Sequence, residues 1–299
     1  MGTNMNKING VVTVMVSPMD KNGNPDKDGI HKLVNHLIGH GVAGIWLLGS
    51  TGEDINITRK NRLTIIDETV KAVDGRIPVL SGTGLMNTDE ILEFIDDIGD
   101  IPLDGIHVIY RDTKQSDARM IESLTRLADK SRFPIWLYNN IKRGKPLSHQ
   151  ALEVLRHHPN IKGVKYGAFY HMPFIRAAML ETPDFQVMSA GNFFYSLLCY
   201  GGTASTVSDA NCWPEEYVKL HRLYTEGKQK EARDLQYKLI ELSSSFPRTD
   251  NGENCAEEKY ILSLRGVCSE YVNSSYRILT DIEKKQYREI LEAYGFDWV

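Results

Sequence analysis

Short runs rich in valine and isoleucine alternate with helix-patterned stretches along most of this chain, at a spacing of about 25 to 30 residues, and such alternation is the pattern of a parallel sheet built from βα units. The strand-like runs fall at 11–16, 44–48, 78–81, 105–110, 134–138, 161–165, 186–189 and 203–208. Helical patterns lie between and after them, near 28–40, 59–73, 88–98, 116–130, 148–157, 171–181, 192–200 and 214–226, several opened by capping residues such as Thr58, Asn87 and Ser148. Eight such units predict a (β/α)8 TIM barrel. A doubly wound sheet is the alternative, but it would usually take fewer units and a phosphate-binding GxGxxG, which this sequence lacks.

From Lys228 onward the pattern turns wholly helical, near 228–245, 254–268 and 281–294, with a break at Ser243-Ser244-Ser245-Phe246-Pro247. We therefore expect residues 8–226 to form a catalytic barrel and 227–299 to form a C-terminal helical extension packed on it. A chain of 299 residues, 41% hydrophobic, is long enough to bury the large core of one barrel or the cores of two smaller domains, so length alone leaves both open. The segment before Ile8 reads as a frayed arm or a non-native addition.

Charge narrows the partners. A net charge of −4 and a pI near 6.2 leave no electrostatic footprint for nucleic acid or an anionic membrane, so small molecules are the expected partners. No stretch approaches the roughly 18 to 20 apolar residues of a membrane span, and the N-terminus lacks a signal-peptide pattern. Cys199, Cys212, Cys255 and Cys268 show neither a CxxC pair nor metal-ligand spacing, and read as reduced thiols of a cytoplasmic protein. His36 and His40 stand four residues apart but no neighbouring glutamate completes a metal-binding motif. Neither a metal nor an organic cofactor is expected.

Candidate chemistry gathers at the C-terminal strand ends, where barrel active sites sit. Lys165 closes the run Ile161-Lys162-Gly163-Val164-Lys165. In water an amine stays protonated, with a reference pKa of about 10.4, whereas in a desolvated strand-end site it can become a nucleophile. The alternative is a strand-end lysine in solvent. Tyr138 ends the preceding strand, so its hydroxyl could share a substrate with Lys165 or simply be a satisfied rim aromatic. Gly49-Ser50-Thr51-Gly52-Glu53 after the second strand could converge backbone N–H groups and hydroxyls on a carboxylate, or be an ordinary βα turn. Arg143 could grip an anion in fork geometry, or be a solvated charge beside Lys142 and Lys145. Phe193-Phe194-Tyr195 reads as helix core whose first residues could line the barrel mouth.

Taken together, Gly49-Ser50-Thr51-Gly52-Glu53, Leu137-Tyr138-Asn139 and Gly163-Val164-Lys165 make the chain resemble the dihydrodipicolinate synthase and N-acetylneuraminate lyase family, from Val16-Ser17-Pro18-Met19 to Tyr276-Arg277-Ile278-Leu279-Thr280. The resemblance implies a barrel, usually a homotetramer built as a dimer of dimers, acting on a 2-oxo acid and an aldehyde through an imine. It implies Lys165 as the Schiff-base residue, Tyr138 as the proton shuttle, and Ser50 with Thr51 as the carboxylate-binding pair, Thr51 belonging also to the catalytic set. Arg143, Gly191, Thr206 and Ser208 complete the expected substrate contacts.

Departures from the family pattern fall at the other end of the pocket. The synthases usually carry a second tyrosine after the fourth strand, where this chain reads Tyr110-Arg111-Asp112-Thr113-Lys114, with the expected position near Thr113. The neuraminate lyases carry Gly-x-Asp-Glu after strand seven, where this chain has Gly191-Asn192-Phe193-Phe194. Gly167 replaces a hydroxyl residue two after the lysine. The expected activity is thus a class I aldolase with pyruvate as donor or product. A dehydratase of a 3-deoxy-2-oxo sugar acid, a dihydrodipicolinate-synthase-like condensing enzyme and a retired 2-oxo acid binding protein remain as alternatives.

Overall fold

In the computed structural model, which describes residues 7–84, 87–110, 112, 114–140, 143–167, 171–247, 249 and 255–296, eight parallel strands close into a barrel in sequence order. They are β1 Gly10–Val14, β2 Gly44–Leu47, β3 Val79–Gly82, β4 Gly105–Val108, β5 Ile135–Asn140, β6 Ile161–Gly167, β7 Gln186–Ala190 and β8 Ala204–Val207. Closure runs through β1 and β8, with Gly10 opposite Ala204 and Thr13 opposite Val207. Alternating with them are α1 Lys27–Gly39, α2 Arg59–Val73, α3 Thr88–Ile98, α4 Asp117–Lys130, α5 His149–Leu155, α6 His171–Ala178, α7 Phe194–Cys199 and α8 Pro214–Thr225. Three further helices follow: α9 Gln229–Ser245, α10 Cys255–Leu264 and α11 Asp281–Ala293.

Local chemistry accounts for the element boundaries. Thr58, Asn87 and Ser148 each accept a hydrogen bond from the backbone N–H three residues on, satisfying a donor that the first helical turn leaves unpaired. Asp26 and Ser116 cap α1 and α4 in the same way, and Thr280 with Glu283 forms a reciprocal capping box on α11.

Strand alternation divides the core in two. Ile45, Leu47, Ile106, Ile135, Leu137, Val164 and Val187 face the surrounding helices, meeting residues such as Leu33, Ile66, Phe94 and Leu152. Val12, Val14, Trp46, Leu80, Trp136, Met188 and Ala204 fill the barrel interior, with Tyr138 packed on them. Burying an indole removes roughly 200 Å² from water, about 5 kcal/mol gross at about 25 cal/mol per Å². Trp136 fits because Gly163 opposite it has no side chain: a Cβ there would lie 2.4 Å from the indole.

Several elements depart from the sequence expectation. Lys165 does not close its strand; β5 and β6 run two residues further, pairing Asn139 with Tyr166 and Asn140 with Gly167. The expected helix 192–200 divides into a 3-10 turn, Gly191–Phe193, and the short α7. Ser208 lies just beyond β8 with helical dihedrals, φ −73° and ψ −46°. Thr113, Lys142 and the arm at 1–6 lie outside the described residues.

Candidate active site

Register brings the two central side chains together. Tyr138 pairs with Lys165, and Lys165 with Met188, so all three side chains stand at one level of the barrel. Lys165 is 6% exposed, its Nζ 4.5 Å from the centroid of the Tyr138 ring and 5.2 Å from that of Trp46. Trp46 meets Tyr138 edge-on at 6.1 Å. On its other side it stacks on His107 at 4.1 Å, and His107 Nε2 donates to the Leu47 carbonyl at 2.8 Å. The amine therefore emerges between two aromatic faces that are themselves braced. Tyr138 Oη accepts a hydrogen bond from Asn140 Nδ2 at 2.8 Å.

Ser50 and Thr51 sit in the turn that follows β2, three and four residues after Leu47, with Thr51 buried. Left-handed residues bracket this turn, Leu48 at φ 52° and Glu53 at φ 61°. Holding non-glycine residues there costs on the order of 1–3 kcal/mol each and needs outside support. Glu53 supplies it. Its fully buried carboxylate pairs with the ammonium of Lys259 in α10 and accepts the Asn273 N–H at 2.6 Å. Lys259 also donates to the Tyr271 carbonyl at 3.0 Å. Helix α10 thus reaches back to brace the Gly-Ser-Thr-Gly turn.

Arg143 lies on the loop after β5. Buried Asn139 clamps the far side of that loop, accepting from Leu147 N–H at 2.8 Å and donating to the Leu147 carbonyl at 3.1 Å. Arg143 Nη1 stands 3.6 Å from Asp54 Oδ1. Asp54 directly follows the Gly-Ser-Thr-Gly-Glu turn and lines a narrow cleft with Leu48, Thr83, His107 and Tyr138.

The remaining expected contacts are placed differently. Gly191 opens the turn after β7. Thr206, on β8, is buried and donates through Oγ1 to the Ser189 carbonyl at 2.9 Å. Ser208 turns toward the C-terminal helices, where Asn211 Nδ2 donates to its carbonyl at 2.7 Å and to Glu258 Oε2 at 3.0 Å. Phe194 does not line the barrel mouth: fully buried, it stacks on His221 of α8 with centroids 5.7 Å apart. Phe193 packs on Phe174 of α6 at 5.3 Å. The helix begins at Phe194, two residues later than its pattern suggests, and Phe194 belongs to the outer core.

Trp46, His107 and Asp54 had no part in the sequence-based site. Trp46 carries a legible signal, because strand alternation from the outward Ile45 and Leu47 sends it inward just before the Ser-Thr turn. Among the described residues no cluster of three or more His, Cys, Asp or Glu is placed to hold a metal. No helix of the described residues is long and apolar enough to cross a membrane.

Comparison with known proteins adds to this geometry. The profile of the Dihydrodipicolinate synthetase family matches residues 7–294. A 4-hydroxy-tetrahydrodipicolinate synthase of Methanosphaerula palustris is 32% identical over 269 residues, covering 87% of this chain and 90% of the relative. One from Methanoculleus marisnigri is 30% identical, covering 96% and 99%. Among solved structures, dihydrodipicolinate synthase from Bacteroides thetaiotaomicron superposes with a TM-score of 0.91 at 23% identity, covering 97% of this chain and 99% of that one. A prophage protein of the dihydrodipicolinic acid synthase family from E. coli K12, solved in complex with pyruvate, gives 0.89 at 25% identity, covering 95% and 98%. The chain belongs to the dihydrodipicolinate synthetase family and is a carbon–carbon lyase.

Proposed function

We propose that this enzyme makes or breaks the C3–C4 bond of a 2-oxo acid through an imine on Lys165, with pyruvate as donor or product. The observation that carries the reading is the Lys165 amine, held inside the barrel against Tyr138 and Trp46. The prophage relative solved with pyruvate supports the choice of 2-oxo acid.

In the cleavage direction the neutral amine of Lys165 adds to C2 of a 4-hydroxy-2-oxo acid, and loss of water leaves a protonated imine. Tyr138 relays the proton leaving the C4 hydroxyl, the C3–C4 electrons flow into the imine as an enamine, and the aldehyde departs. Protonation at C3 and hydrolysis then release pyruvate and the free amine. Condensation reverses each step. Ser50 and Thr51 hold the C1 carboxylate at the far side from the bond that breaks, and Gly191 and Thr206 are proposed to complete the substrate contacts, whereas Ser208, turned toward Glu258, is left out. On the same reading residues 8–226 carry the chemistry, while 227–299 brace the Ser-Thr turn through Lys259. A homotetramer is proposed as the assembly, which sedimentation tests.

Mass spectrometry after incubation with pyruvate and borohydride tests the proposal. A reduced pyruvyl group on Lys165 is expected, together with loss of turnover in a folded Lys165→Ala enzyme. Label on another lysine, or none, would overturn it.

A further inference from the structure

Arg143 stands 3.6 Å from the carboxylate of Asp54, a residue that lines the cleft beside Tyr138. Asp54 is held there from behind: Arg62, itself buried, donates to the Asp54 carbonyl at 2.6 Å and to the Thr83 carbonyl. Gly84 leaves the room that this guanidinium occupies, since a Cβ there would lie 2.5 Å from it. The turn Asp54–Asn56 is thereby tied to the end of β3, and its first side chain is fixed beside Arg143.

Side-chain exposures of 13% for Arg143 and 9% for Asp54 leave little water between the two charges, so the pair is screened far less than a surface ion pair. An arginine alone in such a place would take a carboxylate in a two-point fork. Here a second carboxylate would have to approach Arg143 against the charge of Asp54, and like charges at such distances repel. A hydroxyl meets no such penalty, because Asp54 can accept its hydrogen bond.

We infer that Asp54, through its pairing with Arg143, is a specificity-determining residue that selects uncharged, hydroxylated aldehydes over carboxylated ones. The inference rests on the lyase reading of Lys165 and narrows its acceptor class.

The test compares kcat/KM for pyruvate condensation with glyceraldehyde and with succinate semialdehyde, in wild type, Asp54→Asn, Asp54→Ser, Arg143→Gln and the Asp54→Asn/Arg143→Gln double variant. Borohydride labelling of Lys165 is run on each protein, and circular dichroism checks its fold. Wild type should favour glyceraldehyde, and either Asp54 substitution should shift the ratio toward the carboxylated aldehyde by tenfold or more. Arg143→Gln should shift it the other way, and the double variant should lose most of the Asp54→Asn gain. A wild-type preference for succinate semialdehyde, or an unchanged ratio in folded and labelled Asp54 variants, would overturn the inference while leaving the imine reading intact. Absence of the Lys165 adduct in wild type would overturn both. A wild-type preference for succinate semialdehyde overturns the inference even where a variant folds poorly.

Discussion

The Nζ of Lys165 lies 4.5 Å from the centre of the Tyr138 ring, and the two residues are direct partners in the parallel register of β5 and β6. The ring and the hydroxyl of this tyrosine are therefore separable: the ring walls the amine, while the hydroxyl accepts a hydrogen bond from Asn140 Nδ2 at 2.8 Å.

Tyr138→Phe keeps the wall and removes the hydroxyl proposed to carry the proton. We expect turnover to fall by about 10²–10⁴-fold, the usual contribution of a general acid–base group. The yield of the borohydride adduct on Lys165 should persist at saturating pyruvate. An equal loss in adduct formation and turnover would assign the hydroxyl to positioning instead.

Breaking the Glu53–Lys259 pair should be expensive, since both side chains are fully buried and the partner left behind is an uncompensated charge. A cost of about 3–5 kcal/mol is expected for Glu53→Gln or Lys259→Met. That corresponds to a Tm drop on the order of 10 °C in a chain of this size. The double variant should recover much of the loss. Because Glu53 supports a left-handed residue of the Ser-Thr turn, any folded single variant should also show a raised KM for the 2-oxo acid.

Glu258 behaves in the opposite sense. Burial pushes its carboxyl well above the usual carboxylate range, with Asp209 and Glu257 adding to the rise. A carboxyl raised on folding contributes stability at low pH and loses it as pH climbs from the unfolded value toward the folded one. Glu258→Gln keeps the shape without the ionisation. It should therefore raise Tm at pH 8 and change it little at pH 4, as calorimetry at the two pH values would show.

The barrel was legible because its signals are local and repeated. Alternating β-branched runs, capping residues such as Thr58 and Ser148, and the spacing of the units each point to the same fold. Tyr138 and Lys165 were legible as neighbours for the same reason, since adjacent parallel strands fix their separation. What escaped is what depends on distant partners. Lys259 is 206 residues from Glu53, and nothing near either residue in sequence says that they meet. Asp54 reads as an ordinary turn residue until the loop after β5 folds back and sets Arg143 against it. Phe194 is core, as its apolar run reads, but which side of the helix meets the barrel mouth was not legible, because the start of α7 two residues later than its pattern, invisible in that run, sets the ring against His221.

His36 offers a second pH signature, of opposite sign to that of Glu258. It lies near the end of α1 with its ring 4.5 Å from that of His40, and His40 Nδ1 donates back to the His36 carbonyl at 2.7 Å. Burial, then the Arg265 cation, then His40 push its pKa down to about 4. The unfolded chain takes up the proton near 6.5, which the folded chain resists until the pH is far lower. Stability should therefore be full above pH 6.5 and decline as the pH falls from 6.5 to about 4. Because the ring keeps some contact with solvent, we expect about 1–2 kcal/mol over that interval. His36→Leu removes the titrating group and keeps an apolar side chain, so its Tm should fall less steeply than wild type between pH 6.5 and 4. NMR titration of the His36 ring supplies the independent check, and a midpoint near 6.5 in the folded protein would contradict the account.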